Sequence, residues 1–215
     1  MKNIFPLFQS HLDLAHHYWS KLVQKGDTVI DATCGNGFDT LKLCQLALCH
    51  DMGQVYAFDI QAAAIDSAKR HLSLHLSIDL QKRIEFQLRN HATFPESLKM
   101  NSVKLIAYNL GYLPGGDKTM TTQHTTTLQS LQSATHLIAP FGAICVTCYP
   151  GHPEGAMEQE AVLAFASNLS PKEWSCCHHV WMNRNLAPSL LLIQRTVKAD
   201  NSPVAEQQMI NAVEG

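Results

Sequence analysis

The sequence predicts an α/β fold: a seven-stranded, mostly parallel sheet with helices on both faces and a C-terminal antiparallel hairpin. Short apolar runs alternate along the chain with segments of helical spacing, which is the order that gives parallel strands joined by crossover helices. The run 103–109 is nearly all apolar, as expected for a central strand that is covered on both faces. The runs 174–182 and 189–197 have no helical segment between them, so we expect them to pair as the hairpin.

The first half of the chain alternates regularly between the two kinds of segment. A helix over 11–24 is predicted because Leu12, Ala15 and Trp19 recur at helical spacing, and Gly26 follows as a stop signal. The other elements predicted in this half are strands at 28–32, 54–59 and 84–88 and helices at 39–49 and 61–76.

The second half resumes the alternation after a loop rich in Gly and Pro at 111–118, and a turn is predicted at 140–142. We expect one domain over 1–197, beginning with a helical segment at 1–25, and a polar tail over 198–215. The elements predicted in this half are the strand 103–109, a helix at 122–138, a strand at 143–149, a helix at 156–169 and the two hairpin strands.

Length and composition fit a single globular domain of 215 residues, 46% of them hydrophobic. No apolar run is long enough to span a membrane and the N-terminus has no long apolar segment, so neither membrane contact nor a secretory leader is expected. Seven cysteines without dense spacing predict reduced thiols in a cytoplasmic protein. The net charge of −2 does not indicate a broadly basic surface, so an RNA substrate would have to be held by local patches.

The most informative motif joins the first predicted strand to the helix after it. Gly35, Asn36 and Gly37 form a G-x-G turn, and Asp39 and Thr40 begin the helix. Glycines let a backbone come close to a ligand, and a helix N-terminus offers free N–H groups. This order is typical of a nucleotide-like ligand site at the carboxyl edge of a parallel sheet.

Acidic residues indicate which cofactor such a site suits. Asp39 would repel a pyrophosphate, and Thr40 stands where the dinucleotide motif has its third glycine. Asp59 follows Gly37 by about 20 residues, the spacing at which a carboxylate reaches ribose hydroxyls. Asp31, at the end of the first strand, is placed to hold an amino group directly or through water. The set favours S-adenosylmethionine over NAD; the alternative is that Asp31 and Asp39 are only a turn residue and a helix cap.

A second polar motif, Asn109-Leu-Gly-Tyr112-Leu-Pro-Gly-Gly-Asp117, follows the central strand. It is similar to the Asn/Asp-Pro-Pro-Tyr loop of amino-group methyltransferases, with Leu110 and Gly111 in place of the prolines. In such a loop Asn109 would accept a hydrogen bond from an amine and aim its lone pair, and Tyr112 would pack on a planar base. Asp117 is a candidate proton acceptor. The alternative is a structural turn that Asn109 caps.

Polar residues after two other strands complete the predicted site. Asn90 and His91 follow the third strand, where many methyltransferases place a polar side chain against adenine; a solvated loop is the alternative. His152 follows the fifth strand at the same edge and is a candidate base or substrate contact. Cys145 and Cys148 would face opposite sides of a strand, and no metal site is predicted.

Together these motifs resemble, over residues 11–195, the class I methyltransferases labelled "putative rRNA methylase". The resemblance implies the class I methyltransferase fold and S-adenosylmethionine as cofactor. The chain departs from the family pattern at Asn90 and Ala92, where members have Ser and Glu, and at Pro150 and Glu154, where they have His and Gly. By resemblance, the cofactor contacts would be Asn36, Asp39, Asp59, Gln61, Asn90 and His91.

Members of this family are associated with methylating the 5-aminomethyl group of 2-thiouridine at the wobble position of tRNA. The expected function is therefore conversion of 5-aminomethyl-2-thiouridine to 5-methylaminomethyl-2-thiouridine, with the tRNA anticodon loop as partner and a homodimer as assembly. Two alternatives stay open at this point. One is a methyltransferase of a small-molecule amine or of rRNA, and the other is a non-catalytic module that binds S-adenosylmethionine.

Overall fold

The computed structural model describes residue 7 and residues 10–111 and 122–196. It confirms the α/β architecture: one seven-stranded sheet in the order β3-β2-β1-β4-β5-β7-β6. The strands are β1 (Thr28–Asp31), β2 (Gln54–Asp59), β3 (Ile84–Leu88), β4 (Val103–Asn109), β5 (Ile138–Cys148), β6 (Trp174–His179) and β7 (Ser189–Arg195). The helices are α1 (His11–Leu22), α2 (Phe38–Ala47), α3 (Ala62–Ser73), α4 (Ile78–Gln81), α5 (His124–Leu137) and α6 (Pro153–Ser167).

The strand order reverses direction between β1 and β4. Strands β3, β2, β1, β4 and β5 pair in parallel, whereas β7 is antiparallel to both β5 and β6, which confirms the predicted hairpin. In open parallel sheets the crevice at such a reversal, outside the carboxyl ends of the strands, is where ligands bind. The topology therefore places the ends of β1 and β4 on either side of a natural ligand crevice.

Helices cover both faces of the sheet because the strand residues alternate between two buried clusters. Ile106 packs in the cluster that also contains Leu131 of α5, whereas its neighbour Leu105 packs in the cluster that contains Trp19 of α1 and Leu43 of α2. The four aliphatic side chains are fully buried, and Trp19 is 2% exposed. Burial on both faces explains why β4 is nearly continuous in apolar residues.

The start of β5 and the short helix α4 depart most from the sequence-based prediction. Strand β5 begins at Ile138 directly after α5, not at residue 143, and its register against β4 shifts between the pairs Val103↔Ile138 and Leu105↔Ala143. The predicted turn at 140–142 is therefore a bulge within the strand, where Phe141 has a φ of 57°. The short helix α4, which Ser77 caps through its side chain, was not predicted, because four residues are too few for a periodic pattern.

The helix of the N-terminal segment is described by the structure, whereas the C-terminal tail is not. Helix α1 lies within the predicted segment at 1–25, and Ser10 begins it with a capping box that includes Asp13. The tail 198–215 lies outside the described residues, and the domain limit at 197 stays a prediction. In the described ranges, no helix combines the length and apolar character that a membrane crossing requires.

Gly37 fixes how closely the glycine turn packs on α3. Its φ is +83°, and a Cβ atom there would lie 2.8 Å from Ala68 Cα and 2.9 Å from Leu72 Cδ1. Only glycine combines the left-handed conformation with so small a volume. The close approach sets the position from which α2 begins.

We expect Gly37→Ala to lower the free energy of unfolding by about 2–4 kcal/mol, because backbone strain and overpacking add. Urea unfolding followed by circular dichroism measures the change. Gly151→Ala is the matched control, since a Cβ at Gly151 meets nothing within 4 Å, and it should change stability by less than about 0.5 kcal/mol. Equal effects of the two substitutions would contradict the packing argument.

Candidate functional site

A cavity of about 1120 Å³ opens at the carboxyl ends of β1, β2 and β4. Nine of the predicted site residues line it, together with residues from α1 and the loop between β6 and β7. The nine are Gly35, Asn36, Asp39, Asp59, Gln61, Asn90, His91, Asn109 and His152. The topology thus brings together side chains that are more than 100 residues apart in the sequence.

The other predicted residues lie elsewhere. Asp31, Gly37 and Thr40 do not line the cavity; Asp31 and Thr40 are fully buried behind it. Tyr112 and Asp117 lie outside the described residues. Their predicted roles stay predictions.

Asp31 holds together the two ends of the glycine turn. Its Oδ2 accepts a hydrogen bond from the Thr40 hydroxyl at 2.6 Å, and its Oδ1 accepts one from the Thr33 N–H at 3.2 Å. The pKa of Asp31 is raised to about 7, chiefly by burial and then by the nearby Asp39 charge, while the hydrogen bonds from Thr40 and Thr33 oppose the rise. Asp31 therefore does act as a turn residue, and it also anchors the first turn of α2.

Asp39 connects three elements through its two carboxylate oxygens. Its Oδ1 lies 2.6 Å from Nε2 of His16 on α1, and its Oδ2 accepts a hydrogen bond of 2.5 Å from Nδ2 of Asn109 on β4. The N-cap of α2 is Gly37, and no side-chain hydrogen bond caps that helix. Asp39 is therefore placed as a bridge rather than as a helix cap.

Asp59 fixes the glycine turn from the neighbouring strand. Its Oδ2 accepts a hydrogen bond from the Gly35 N–H at 3.0 Å, and its Oδ1 accepts one from the Gln61 N–H at 2.9 Å. Burial raises the pKa of this carboxyl, although the backbone N–H groups oppose the rise. Each oxygen keeps a lone pair for a ligand hydroxyl.

His91 forms part of the cavity wall as a neutral imidazole. The Nδ1 atom lies 3.1 Å from the Ala32 carbonyl oxygen, which can only accept, so Nδ1 carries the proton. Burial lowers the pKa of His91 to about 4. Its neighbour Asn90 is exposed and accepts a hydrogen bond from the Ala92 N–H through Oδ1 at 2.8 Å.

Asn109 presents its side-chain oxygen in a fixed orientation. Its backbone N–H donates to the Thr33 hydroxyl at 2.7 Å, and only an amide nitrogen can donate to the Asp39 carboxylate, so the amide cannot flip. In the described ranges no group hydrogen-bonds the buried Oδ1 atom of Asn109. The arrangement leaves one oriented acceptor at the end of β4.

His152 and Tyr149 line the cavity in the segment that follows β5, the strand next to β4. His152 is the N-cap of α6, and its Nδ1 accepts a hydrogen bond from the Gly155 N–H at 3.1 Å. The Tyr149 hydroxyl lies 2.9 Å from Nε2 of His11 on α1, and burial raises the pKa of Tyr149 to about 12. Helix α1 thus reaches the site through both His11 and His16.

The sequence did not identify the α1 histidines or Tyr149 as site residues. Their contacts span 138 positions for His11–Tyr149 and 23 for His16–Asp39, and no local pattern records such pairs. The spacing did offer one indication of His16. It lies four residues after Leu12, so the two side chains are on the same side of the helix, and Leu12 lines the cavity. The described part of the chain contains no cluster of three or more His, Cys, Asp or Glu side chains that could hold a metal ion.

A family model described as "Putative rRNA methylase" matches residues 55–195, well over half of the chain. The chain belongs to this family. A relative from Arabidopsis thaliana, named tRNA (mnm(5)s(2)U34)-methyltransferase, chloroplastic, is 41% identical over 186 residues. The alignment covers 84% of this chain and 68% of that relative.

Solved structures of similar chains agree with the family. The chain in a structure from Clostridium thermocellum described as "putative rRNA-methylase" is 34% identical with a TM-score of 0.81, and the match covers 87% of this chain and 98% of that one. The chain in a structure from Streptococcus mutans described as "a putative methyltransferase", in complex with SAH, is 27% identical with a TM-score of 0.75, and the match covers 87% of this chain and 99% of that one. The predicted class I methyltransferase fold is confirmed, and the protein is an S-adenosylmethionine-dependent methyltransferase.

The buried His91 should make stability depend on pH in a defined window. The unfolded chain takes up a proton below about pH 6.5, whereas folded His91 resists protonation down to a pKa of about 4. Stability is therefore lost as pH falls through this window, by about 2 kcal/mol at pH 5. Urea unfolding of the wild type and His91→Gln at pH 7 and pH 5 measures the difference. Identical pH dependence in both proteins would contradict it.

Proposed function

We propose that this protein transfers a methyl group from S-adenosylmethionine to the primary amine of 5-aminomethyl-2-thiouridine at the tRNA wobble position, giving 5-methylaminomethyl-2-thiouridine. The observation that carries the proposal is the oriented side-chain oxygen of Asn109 at the end of β4, which no described residue hydrogen-bonds and which suits the N–H of an amine. The tRNA methyltransferase from Arabidopsis thaliana, at 41% identity, supports this choice of substrate.

The residues present fit S-adenosylmethionine. Asp39 and Asp59 give the cavity two carboxylates, which suit an ammonium, a sulfonium and ribose hydroxyls and oppose a pyrophosphate. Gly35 and Asn36 of the glycine turn line the cavity, so the turn can bring its backbone close to a ligand of this kind, while Gly37 packs on α3 behind it.

We assign the cofactor contacts by position in the cavity. Asp59 and Gln61, at the end of β2, would hold the ribose, and Asn90 and His91 would contact the adenine. Neutral His91 offers no positive charge there because its pKa is lowered to about 4. The remaining assigned contacts are the backbone of Gly35 and Asn36 and the carboxylate of Asp39, with Asp31, Gly37 and Thr40 supporting them from behind.

When bound, S-adenosylmethionine would supply a methyl group on a sulfonium: the amine nitrogen bonds to the methyl carbon in line as the C–S bond breaks, and S-adenosylhomocysteine is the leaving group. Positioning dominates such a reaction, and Asn109 Oδ1 would accept one amine N–H and so point the nitrogen lone pair along the required axis. Asp39 would keep Asn109 in that orientation, and His16 would keep Asp39 in place.

A primary amine is mostly protonated at neutral pH and must lose a proton before it attacks. We propose His152 and Asp117 as the candidate acceptors, and Tyr112 as the ring that packs on the base. His152 lines the cavity, but its Nδ1 accepts the Gly155 N–H, so a neutral ring carries its proton on Nε2 and Nδ1 would have to give up that hydrogen bond to take a proton.

The role of Asn109 can be tested directly. Asn109→Ala should lower kcat by about 10²-fold, because the oriented acceptor is lost, and should change the Kd for S-adenosylmethionine by less than about 3-fold. Gln132→Ala is the matched control, since it removes an exposed side-chain amide from α5. A fall in cofactor affinity with kcat unchanged would contradict the assignment.

The substrate can be tested with tRNA from cells that lack this gene. The purified protein is incubated with that tRNA and S-adenosylmethionine, and the nucleosides are digested and weighed. We expect 5-aminomethyl-2-thiouridine to become heavier by one methyl group. Methylation of rRNA alone would instead support an rRNA methyltransferase, and methylation of free small amines without tRNA would support a small-molecule methyltransferase. The expected homodimer stays a prediction.

A further inference from the structure

A buried carboxylate on α6 lies outside the assigned site. Glu158 is 1% exposed, and each of its oxygens accepts a hydrogen bond from a threonine hydroxyl. The Thr122 hydroxyl lies 2.6 Å from Oε2, and the Thr127 hydroxyl lies 2.6 Å from Oε1. Both oxygens are therefore used, and by residues close to one another at the start of α5.

Thr122 forms two hydrogen bonds with Gly111, which lies just after the end of β4. The Gly111 N–H donates to the Thr122 hydroxyl at 2.8 Å, and the Thr122 N–H donates to the Gly111 carbonyl at 2.9 Å. Gly111 is two residues after Asn109. The hydroxyl that Glu158 fixes is thus the acceptor that fixes the backbone next to Asn109.

Thr127 leads from the same carboxylate to the other wall of the cavity. Its hydroxyl oxygen packs 3.4 Å from Nε2 of His91; this is a packing contact, because the Thr127 proton is donated to Glu158 and the His91 proton is on Nδ1, which donates to the Ala32 carbonyl at the start of the glycine turn. One side chain on α6 therefore joins the end of β4 to the wall that carries His91. These are the substrate side and the cofactor side of the proposed reaction.

Burying the carboxyl group of Glu158 costs free energy of desolvation, and packing alone does not explain why an acid is placed there. Burial raises the pKa of its carboxyl, and within the described part of the chain no ion pair includes it. An apolar side chain would avoid this desolvation cost. What an apolar side chain cannot do is accept hydrogen bonds from two hydroxyls in fixed directions.

We propose that Glu158 is a positioning residue for methyl transfer, which holds Asn109 and the His91 wall at a fixed separation by bridging Thr122 and Thr127. The inference rests on the proposed function, because it assigns Asn109 and His91 to the two reacting partners. Glu158 touches neither partner and acts through the two threonines.

The variants that test the proposal are Glu158→Leu, Thr122→Val and their double mutant, with Glu158→Gln and Thr122→Ser as matched controls. Glutamine can accept from one hydroxyl and donate to the other, and serine keeps the hydroxyl, so both controls should hold kcat within about 3-fold. Each single disruptive variant should lower kcat by about 10-fold, with the Kd for S-adenosylmethionine little changed. The double mutant should also lose about 10-fold rather than about 100-fold, because the two residues act through one contact.

Amide hydrogen exchange at Gly111 gives a readout that needs no substrate. Glu158→Leu should speed exchange of the Gly111 N–H by about 10-fold, and Glu158→Gln should not. If tRNA is not methylated at all, this measurement still decides whether the bridge exists, so failure of the proposed function is distinguished from failure of the inference. Additive kcat losses, or unchanged exchange at Gly111 in Glu158→Leu, would overturn the proposal. Glu158→Met, an unbranched side chain of similar length without an acceptor oxygen, supplies the same exchange test should Glu158→Leu fail to fold.

Discussion

The carboxylate of Asp39 is the interaction on which the arrangement of the site depends. It accepts a hydrogen bond from Asn109 of β4, contacts His16 of α1, and lies in the first turn of the helix that follows the glycine turn. Removing one partner from such a buried network leaves the others unsatisfied, which costs more than a single exposed hydrogen bond. The orientation of Asn109, the docking of α1 and the start of α2 are therefore coupled.

The same edge of the sheet carries two more carboxylates, and their mutual repulsion shapes what the cavity can accept. The pKa of Asp31 is raised to about 7, chiefly by burial and then by the charge of Asp39, and a smaller contribution comes from Asp59. A ligand with positive charge relieves this repulsion, and an anionic ligand increases it. The electrostatics of the fold thus agree with a cofactor that carries an ammonium and a sulfonium.

The parts of the site that were predicted from sequence are those encoded within one strand and the turn after it. The glycine turn with Asp39, the strand-end carboxylate Asp59 and the polar end of β4 at Asn109 each follow an apolar run directly, and parallel strands bring their carboxyl ends to one edge. The start of β5 was misplaced because Pro140 and Gly142 normally mark a turn, and here they lie in a bulge.

The parts that were missed depend on contacts between distant elements. His16, Tyr149 and Glu158 each bond a residue on another element, and no spacing rule predicts which one. Glu158 did carry a signal, because the buried residues of α6 recur at helical spacing and Glu158 stands among them as the only acid. An acid on the buried side of a helix requires a partner, and here the partners are two threonine hydroxyls.

The central claim is that Asp39 orients Asn109 so that its side-chain oxygen receives the substrate amine. A crystal structure of the protein with S-adenosylhomocysteine and an anticodon stem-loop that contains 5-aminomethyl-2-thiouridine tests it most directly. We expect the amine nitrogen within about 3 Å of Asn109 Oδ1, with the amide nitrogen still bonded to Asp39. An amine held elsewhere in the cavity, or an Asn109 side chain turned away from Asp39, would contradict the account.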